Sequence, residues 1–311
     1  MAEPSYLRLH RKKELKARLE KGLALMESCR LCPRECGVNR MEGETGFCRT
    51  GRKARVASYN AHFGEEAPLV GRHGSGTIFF SSCNLLCGFC QNYDISHLNQ
   101  GVEAGPSQIA AMMVELMERG CHNINFVTPT HVVVQIVEAL IPAVEQGLNL
   151  PLVYNSGGYE SVETLALMDG IFDIYMPDFK FWDNGWAERF LNAPDYRERT
   201  RAALMEMHRQ VGDLKVDAQG IATRGLLVRH LVMPGGVAGT ERVMEFLARE
   251  ISPDTYVNVM DQYRPCGNAH GDEVIGRRLT AGEFRNAMSA ASEAGLHRLD
   301  PRDRPRIIFG F

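Results

Sequence analysis

The stretch Ser82-Cys83-Asn84-Leu85-Leu86-Cys87-Gly88-Phe89-Cys90 sets three cysteines in a C-x3-C-x2-C spacing directly behind a short apolar run at 77–81. A loop of that length can wrap three thiolates around one corner of a four-iron cube, leaving one iron without a protein ligand. The competing reading is a zinc site completed by a fourth ligand elsewhere, such as Cys266. The surrounding pattern decides between them, because the loop opens a long alternation of strands and helices.

Apolar, strand-like runs recur at 77–81, 124–127, 152–155, 171–176, 226–233 and 256–260. Helix-like stretches separate them. One opens at Pro106-Ser107 and runs to Gly120; a second, 131–147, is interrupted by Pro142; a third covers 240–251 after the Pro234-Gly235-Gly236 turn. Thr280 with Glu283 three residues on is a capping box for the last helix. Six strands alternating with helices imply a parallel sheet with right-handed crossovers; the pattern does not say whether it closes. The segments 181–195 and 211–225, the second hairpin-like, read as elaborations on that sheet.

Upstream, the stretch 5–28 spaces Leu7, Leu15, Leu19, Leu23 and Met26 along one helical face. A Gly- and Cys-rich knot follows, 29–50, too small to hold itself together without metal or docking. It carries Cys29, Cys32, Cys36 and Cys48, with Pro33, Gly37, Gly43 and Gly46 to allow tight turns. Four thiolates suit zinc and an iron–sulfur cluster equally. The expected domains are therefore 1–50, a helix plus a four-cysteine extension, and 51–311, the α/β domain.

Seven of the nine cysteines fall between Cys29 and Cys90, which in a long chain points to metal rather than disulfides. Cys121 reads as a small buried apolar residue. Cys266, in a Pro-Cys-Gly turn, could be a further ligand, a relay thiol or a turn residue. A net charge of −3 gives no support for a nucleic-acid or membrane-surface binder. The charged N-terminus is no secretory signal, and no apolar run approaches a bilayer span, so the chain is expected in the cytoplasm.

The three-cysteine loop followed by this alternation resembles the radical S-adenosylmethionine (SAM) superfamily. The 29–40 segment, Gly76-Thr77-Ile78-Phe79-Phe80, the C-x3-C-x2-C-Gln-Asn segment and Met260–Pro265 are similar to the PflX family, relatives of pyruvate formate-lyase activating enzyme. The resemblance runs from Cys29 to about Asp300. It implies an α/β fold, a partial (β/α)6 TIM-like barrel, with a [4Fe–4S] cluster on Cys83, Cys87 and Cys90 whose open iron chelates SAM. Reduction then yields a 5′-deoxyadenosyl radical that abstracts hydrogen from a substrate.

The strand ends carry the rest of that expectation. Phe89 would pack on the adenine side. Thr128, in Val127-Thr128-Pro129-Thr130-His131, stands where relatives have a Gly-Gly-Glu turn for the SAM amino group. Asn155-Ser156-Gly157-Gly158 and Met176-Pro177-Asp178-Phe179-Lys180 look like the Asp-Thr-Asn-Gly and Met-x-Asp-x-Lys turns of glycyl-radical-enzyme activases. By that likeness Asn155, Ser156, Met176 and Asp178 line the SAM pocket, with Lys180 nearby. Asn155 in place of Asp removes a charge from the cation site of those activases. Arg229 would hold the SAM carboxylate or ribose. Expected partners are an electron donor such as flavodoxin or ferredoxin and an unidentified substrate, which in an activase is a partner protein. Two alternatives stand beside it: a radical SAM enzyme modifying a peptide, nucleic acid or small molecule, and a non-catalytic iron–sulfur or zinc carrier. The N-terminal thiols would hold an auxiliary cluster or zinc.

Overall fold

The computed structural model describes residues 3–301; the ends of both expected domains, 1–2 and 302–311, lie outside the described residues. Two short helices, α1 (Ser5–Arg11) and α2 (Glu14–Glu27), precede the cysteine knot. The expected single helix breaks because Lys13 takes a left-handed conformation, φ 61°. The break lets both pieces bury their own contacts. Tyr6 is fully buried and donates to the Leu150 carbonyl at 2.9 Å, while Gly22 of α2 sits against Val134. The knot itself has only a three-residue 3-10 turn, Arg40–Glu42, as regular structure.

The rest is a mixed α/β fold on a nine-stranded sheet. In chain order come β1 (Ala54–His62), α3 (Ala67–Val70), β2 (Ser75–Phe80), α4 (Tyr93–Ser96), β3 (Val102–Ala104), α5 (Pro106–Glu118), β4 (Ile124–Val127), α6 (Val133–Glu145), β5 (Leu152–Ser156), α7 (Val162–Leu167) and β6 (Ile174–Pro177). Then follow α8 (Asn184–Leu191), α9 (Tyr196–Val211), β7 (Lys215–Val216), β8 (Ala222–Leu231), α10 (Thr240–Phe246), β9 (Tyr256–Met260) and α11 (Ala281–Glu293). The six expected strands are β2, β4, β5, β6, β8 and β9. They pair in that order, all parallel.

β1 and β3 were not legible and pair antiparallel at the β2 edge. Their sequences lack apolar alternation because most of their side chains stay partly exposed. Pro142 does not interrupt α6. It lies in the last turn, so the one ladder bond it removes, to the Glu138 carbonyl, falls at the end of the helix and leaves the preceding turns intact. The 280/283 capping box forms, with Glu283 N donating to Thr280 Oγ1 at 3.2 Å and Thr280 N donating to Glu283 Oε2 at 2.9 Å.

Strand alternation sorts the core in two. The larger part, including Ile78, Phe80, Phe126, Tyr154 and Tyr175, packs under the helices. A smaller one, Leu69, Val153, Ile174, Met176 and Leu227, lies on the opposite face, where α3 tucks in. The same registers set polar residues beside and beyond that plug: Thr77 and Asn125 level with Val153, Asn155 beside Met176, and Arg229 beside Asn258. Among the described residues no helix is long and apolar enough to cross a membrane.

Candidate functional site

The three-cysteine loop leaves the C-terminal end of β2 and is gripped from several directions. Ser82 and Leu86 both have positive φ, 71° and 50°, so the chain coils sharply between the thiols. Cys90 N donates to the Cys87 carbonyl at 3.1 Å, closing the C-x2-C turn. Gly88 N donates to the Phe190 carbonyl and the Gly88 carbonyl accepts from Asn268 N, both at 2.8 Å. The second of these bonds docks the turn carrying Cys266 onto the loop. Phe89 is buried among Phe181, Phe190 and Tyr263, with ring centroids 5.8, 6.3 and 6.2 Å away. The 181–195 segment, with α8 in it, thus anchors the loop.

The sulfurs are placed to receive hydrogen bonds. Leu85 N donates to Cys83 Sγ at 3.3 Å, and Ser96 Oγ donates to Cys90 Sγ at 3.2 Å. Burial pushes the Cys83 and Cys87 thiols up, so without a metal they hold their protons. The Lys180 charge acts against that rise at both cysteines, and the Asp178 charge also reaches Cys87.

Those two residues belong to a charged cluster drawn from neighbouring strand ends. Arg229 Nε donates to Asp178 Oδ1 at 2.8 Å, and its Nη2 donates to Asn155 Oδ1 at 2.7 Å. Lys180 Nζ donates to the other Asp178 oxygen at 2.5 Å. Burial works against the Asp178 carboxylate, but Arg229 and Lys180 outweigh it and hold its pKa below the ordinary value. Of the expected cofactor residues, Asn155, Asp178, Lys180 and Arg229 meet in this cluster. Met176 is the register partner of Asn155, but its side chain packs in the apolar plug. Ser156 is buried, its hydroxyl accepting from Gly158 N at 3.3 Å. Thr128 takes φ 59°, a strained conformation for a β-branched residue, and donates its amide to the Asn155 carbonyl at 2.9 Å.

Several polar residues here were not legible as site residues. Glu66, after β1, is buried and accepts from Asn258 Nδ2 of β9 at 2.9 Å, while its other oxygen has no partner. Burial pushes its pKa up to about 7 despite the attraction of Arg229. Asn125 of β4 is fully buried with neither side-chain nitrogen nor oxygen satisfied. The only signals were two consecutive glutamates in a loop and single asparagines in apolar runs. Glu160 accepts from Thr130 and Tyr154 at 2.7 and 2.9 Å behind the strand ends.

The four N-terminal cysteines line a single pocket together with Arg40 and His131. Cys29, Cys32 and Cys48 are buried and Cys36 is half-buried. Burial pushes the His131 imidazole down to about 4, and its Nε2 lies 2.8 Å from the Ser81 carbonyl. Among the described residues no three His, Cys, Asp or Glu side chains converge on one single-ion position. Cys121 is buried, as expected of a small apolar residue.

No family model matches the chain. The uncharacterized protein MJ0674 of Methanocaldococcus jannaschii is 33% identical over 293 residues, spanning 91% of this chain and 79% of that protein. A looser likeness is to the solved structure of methylornithine synthase (PylB), with 15% identity, a TM-score of 0.43, and coverage of 72% of this chain and 70% of that one. That likeness is too distant to fix either fold or activity. The identity and coverage of the archaeal relative place this chain in the same family as MJ0674 of Methanocaldococcus jannaschii.

Proposed function

We propose that the chain is a radical SAM enzyme, its Cys83, Cys87 and Cys90 holding a [4Fe–4S] cluster and its strand-end cluster holding SAM. One observation carries the reading. The C-x3-C-x2-C loop and the polar and charged side chains of three successive parallel strands share one end of the sheet, close enough for Lys180 and Asp178 to act on the Cys87 thiol.

The residues present fit both groups. Three soft thiolate donors, two with N–H or O–H donors on their sulfurs, suit iron–sulfur ligation. The unsatisfied amide of Asn125 and the free oxygen of Glu66 leave hydrogen-bonding capacity that a polar ligand would fill. The turn after β5 is kept bare for close approach. A Cβ on Gly157 would fall 2.7 Å from Leu85 Cδ1, and one on Gly158 would fall 2.2 Å from the Asp178 carbonyl oxygen.

When bound, the cluster supplies the electron that splits SAM to methionine and a 5′-deoxyadenosyl radical able to take hydrogen from a substrate. This chain's own residues bind and orient. Arg229, held between Asp178 and Asn155, presents fixed positive charge for the SAM carboxylate. Lys180 keeps Asp178 ionised and sits toward the thiols. Both oxygens of Asp178 are already paired with Lys180 and Arg229 and Asn155 is neutral, so two cations face one carboxylate and the excess positive charge favours an anionic group over a monovalent cation. Phe89, locked among three aromatic rings, fixes the position of the third thiol and gives an apolar wall for the adenine side. Thr128 turns its backbone toward the same strand ends, where the SAM amino group would lie.

The finer architecture in this reading is a half-open (β/α)6 barrel of the PflX type, preceded by the 1–50 extension. An electron donor of the flavodoxin or ferredoxin class and a peptide or protein substrate complete it. SAM binding to anaerobically reconstituted protein, measured by equilibrium dialysis, tests the pocket. Wild type should retain SAM and Arg229→Met should lose most of that affinity. Equal retention by both would remove Arg229 from the site, and no retention by either would overturn the assignment.

A further inference from the structure

The cysteine knot carries a second argument, independent of the SAM reading. Arg40 is 1% exposed, yet its Nε and Nη2 meet only the Gly51 carbonyl, at 3.2 and 3.0 Å, and its Nη1 points to Cys29 Sγ at 3.9 Å. Among the described residues no carboxylate lies within ion-pair distance of it. A buried guanidinium without a counter-charge is costly. The sulfurs beside it are the available source of negative charge, and neutral thiols do not supply it.

His131 is the second anomaly. It lines the same pocket, is buried, and uses Nε2 on the Ser81 carbonyl at 2.8 Å. A carbonyl only accepts, so Nε2 carries a proton, and burial disfavours a second one. Nδ1 is then a lone pair, and it has no partner. A buried, unpartnered imidazole lone pair at the wall of a thiol pocket is a ligand position.

The backbone is shaped for the same purpose. Glu35, Gly37 and Arg49 all take positive φ, and Phe47 N donates to Cys36 Sγ at 3.4 Å. Gly46 has no alternative, since a Cβ there would lie 2.6 Å from both Cβ and Sγ of Cys36.

We propose that Cys29, Cys32, Cys36 and Cys48 form a second, thiolate-ligated metal centre whose negative charge neutralises Arg40, with His131 Nδ1 facing the centre and Nε2 tying it to Ser81 at the root of the three-cysteine loop. The shared chemistry is a metal bound by several thiolates, met either by a zinc-type ion or by an iron–sulfur cluster. The thiols surround a space rather than converging on one ion position, which favours the cluster and makes binding of a single ion the other outcome of the test.

The test uses protein in which Cys83, Cys87 and Cys90 are all replaced by Ala, leaving only the knot to bind metal. One arm adds Co²⁺ alone; the other adds ferrous iron and sulfide without oxygen. One arm should give a single saturable centre per chain with thiolate-to-metal charge-transfer absorption, lost on adding Cys32→Ser, and the arm that does so names the metal. His131→Gln keeps a donor for the Ser81 carbonyl but removes the lone pair. It should shift the ligand-field bands or g values at unchanged metal content. No saturable binding in either arm overturns the centre; an unchanged spectrum in His131→Gln overturns the role given to His131. If the triple variant does not fold, metal per chain in wild type against Cys32→Ser decides the same question. A whole centre is lost if the proposal holds, and nothing changes if it fails.

Discussion

Arg34 Nε, in the cysteine knot, donates to the carbonyl of Asn84, inside the three-cysteine loop, at 2.9 Å. The same guanidinium donates to the carbonyls of Leu191 and Asn192 and stacks 3.9 Å from the centre of the Phe47 ring. One side chain therefore clamps the knot, the loop and the end of α8. Arg34→Met should cost about 1–3 kcal/mol of stability, since it strands charge-assisted hydrogen bonds to carbonyls. It should also speed proteolysis within 29–50. Chemical denaturation with limited proteolysis checks both; an unchanged cleavage rate would mean the clamp does not hold the knot.

Gly158 has φ 81°, and a Cβ there would strike the Asp178 carbonyl oxygen at 2.2 Å and crowd Tyr196 and Thr200. Gly158→Ala combines a left-handed backbone with a backbone collision, and should destabilise by on the order of 3 kcal/mol. Gly147 has φ 98° with nothing within 4 Å. Gly147→Ala should cost only about 1 kcal/mol. Thermal unfolding of the two variants side by side separates backbone strain from collision.

Asp178 is the only carboxylate that both Arg229 and Lys180 contact within ion-pair distance among the described residues. Asp178→Asn leaves two largely buried cations facing one another, at a cost on the order of 3 kcal/mol. The loss should shrink when Lys180→Met is added. A double-mutant cycle by urea denaturation reads the coupling; strict additivity would show that the pair does not interact.

Glu66 supplies a pH signature. Its folded pKa stands near 7 against an ordinary 4.5, because burial favours the neutral form. The folded protein keeps this proton while the unfolded chain releases it, so folding takes up a proton between those values. Stability from this group is complete below about pH 4.5 and is lost as pH rises to 7. Glu66→Gln should flatten that slope and be more stable than wild type at pH 8, by at most about 3 kcal/mol. Parallel slopes in wild type and variant, from denaturation at pH 5 and pH 8, would contradict it.

The parallel strands were legible because each is a largely apolar run, from Ile124–Val127, buried on both faces, to Tyr256–Met260, buried on one face and half-buried on the other. β1 was not, since its outward side chains remain partly exposed and its identity comes from pairing with β2. The three-cysteine loop announces itself by spacing alone. The cluster around Asp178 was legible only as separate strand ends, and it takes the sheet register to bring Asn155, Asp178 and Arg229 together. Arg40 and His131 carried no sequence signal and Glu66 only that of a glutamate pair, because what marks them is burial without a full set of partners.

The most direct test of the central claim is to reconstitute the protein with iron and sulfide under anaerobic conditions, add reductant and SAM, and quantify 5′-deoxyadenosine beside a Cys87→Ala control. The account predicts product from wild type and none from the variant. A fully loaded, reducible cluster that binds SAM yet yields no 5′-deoxyadenosine, with peptide and protein substrates supplied, would contradict it and leave a metal carrier in its place.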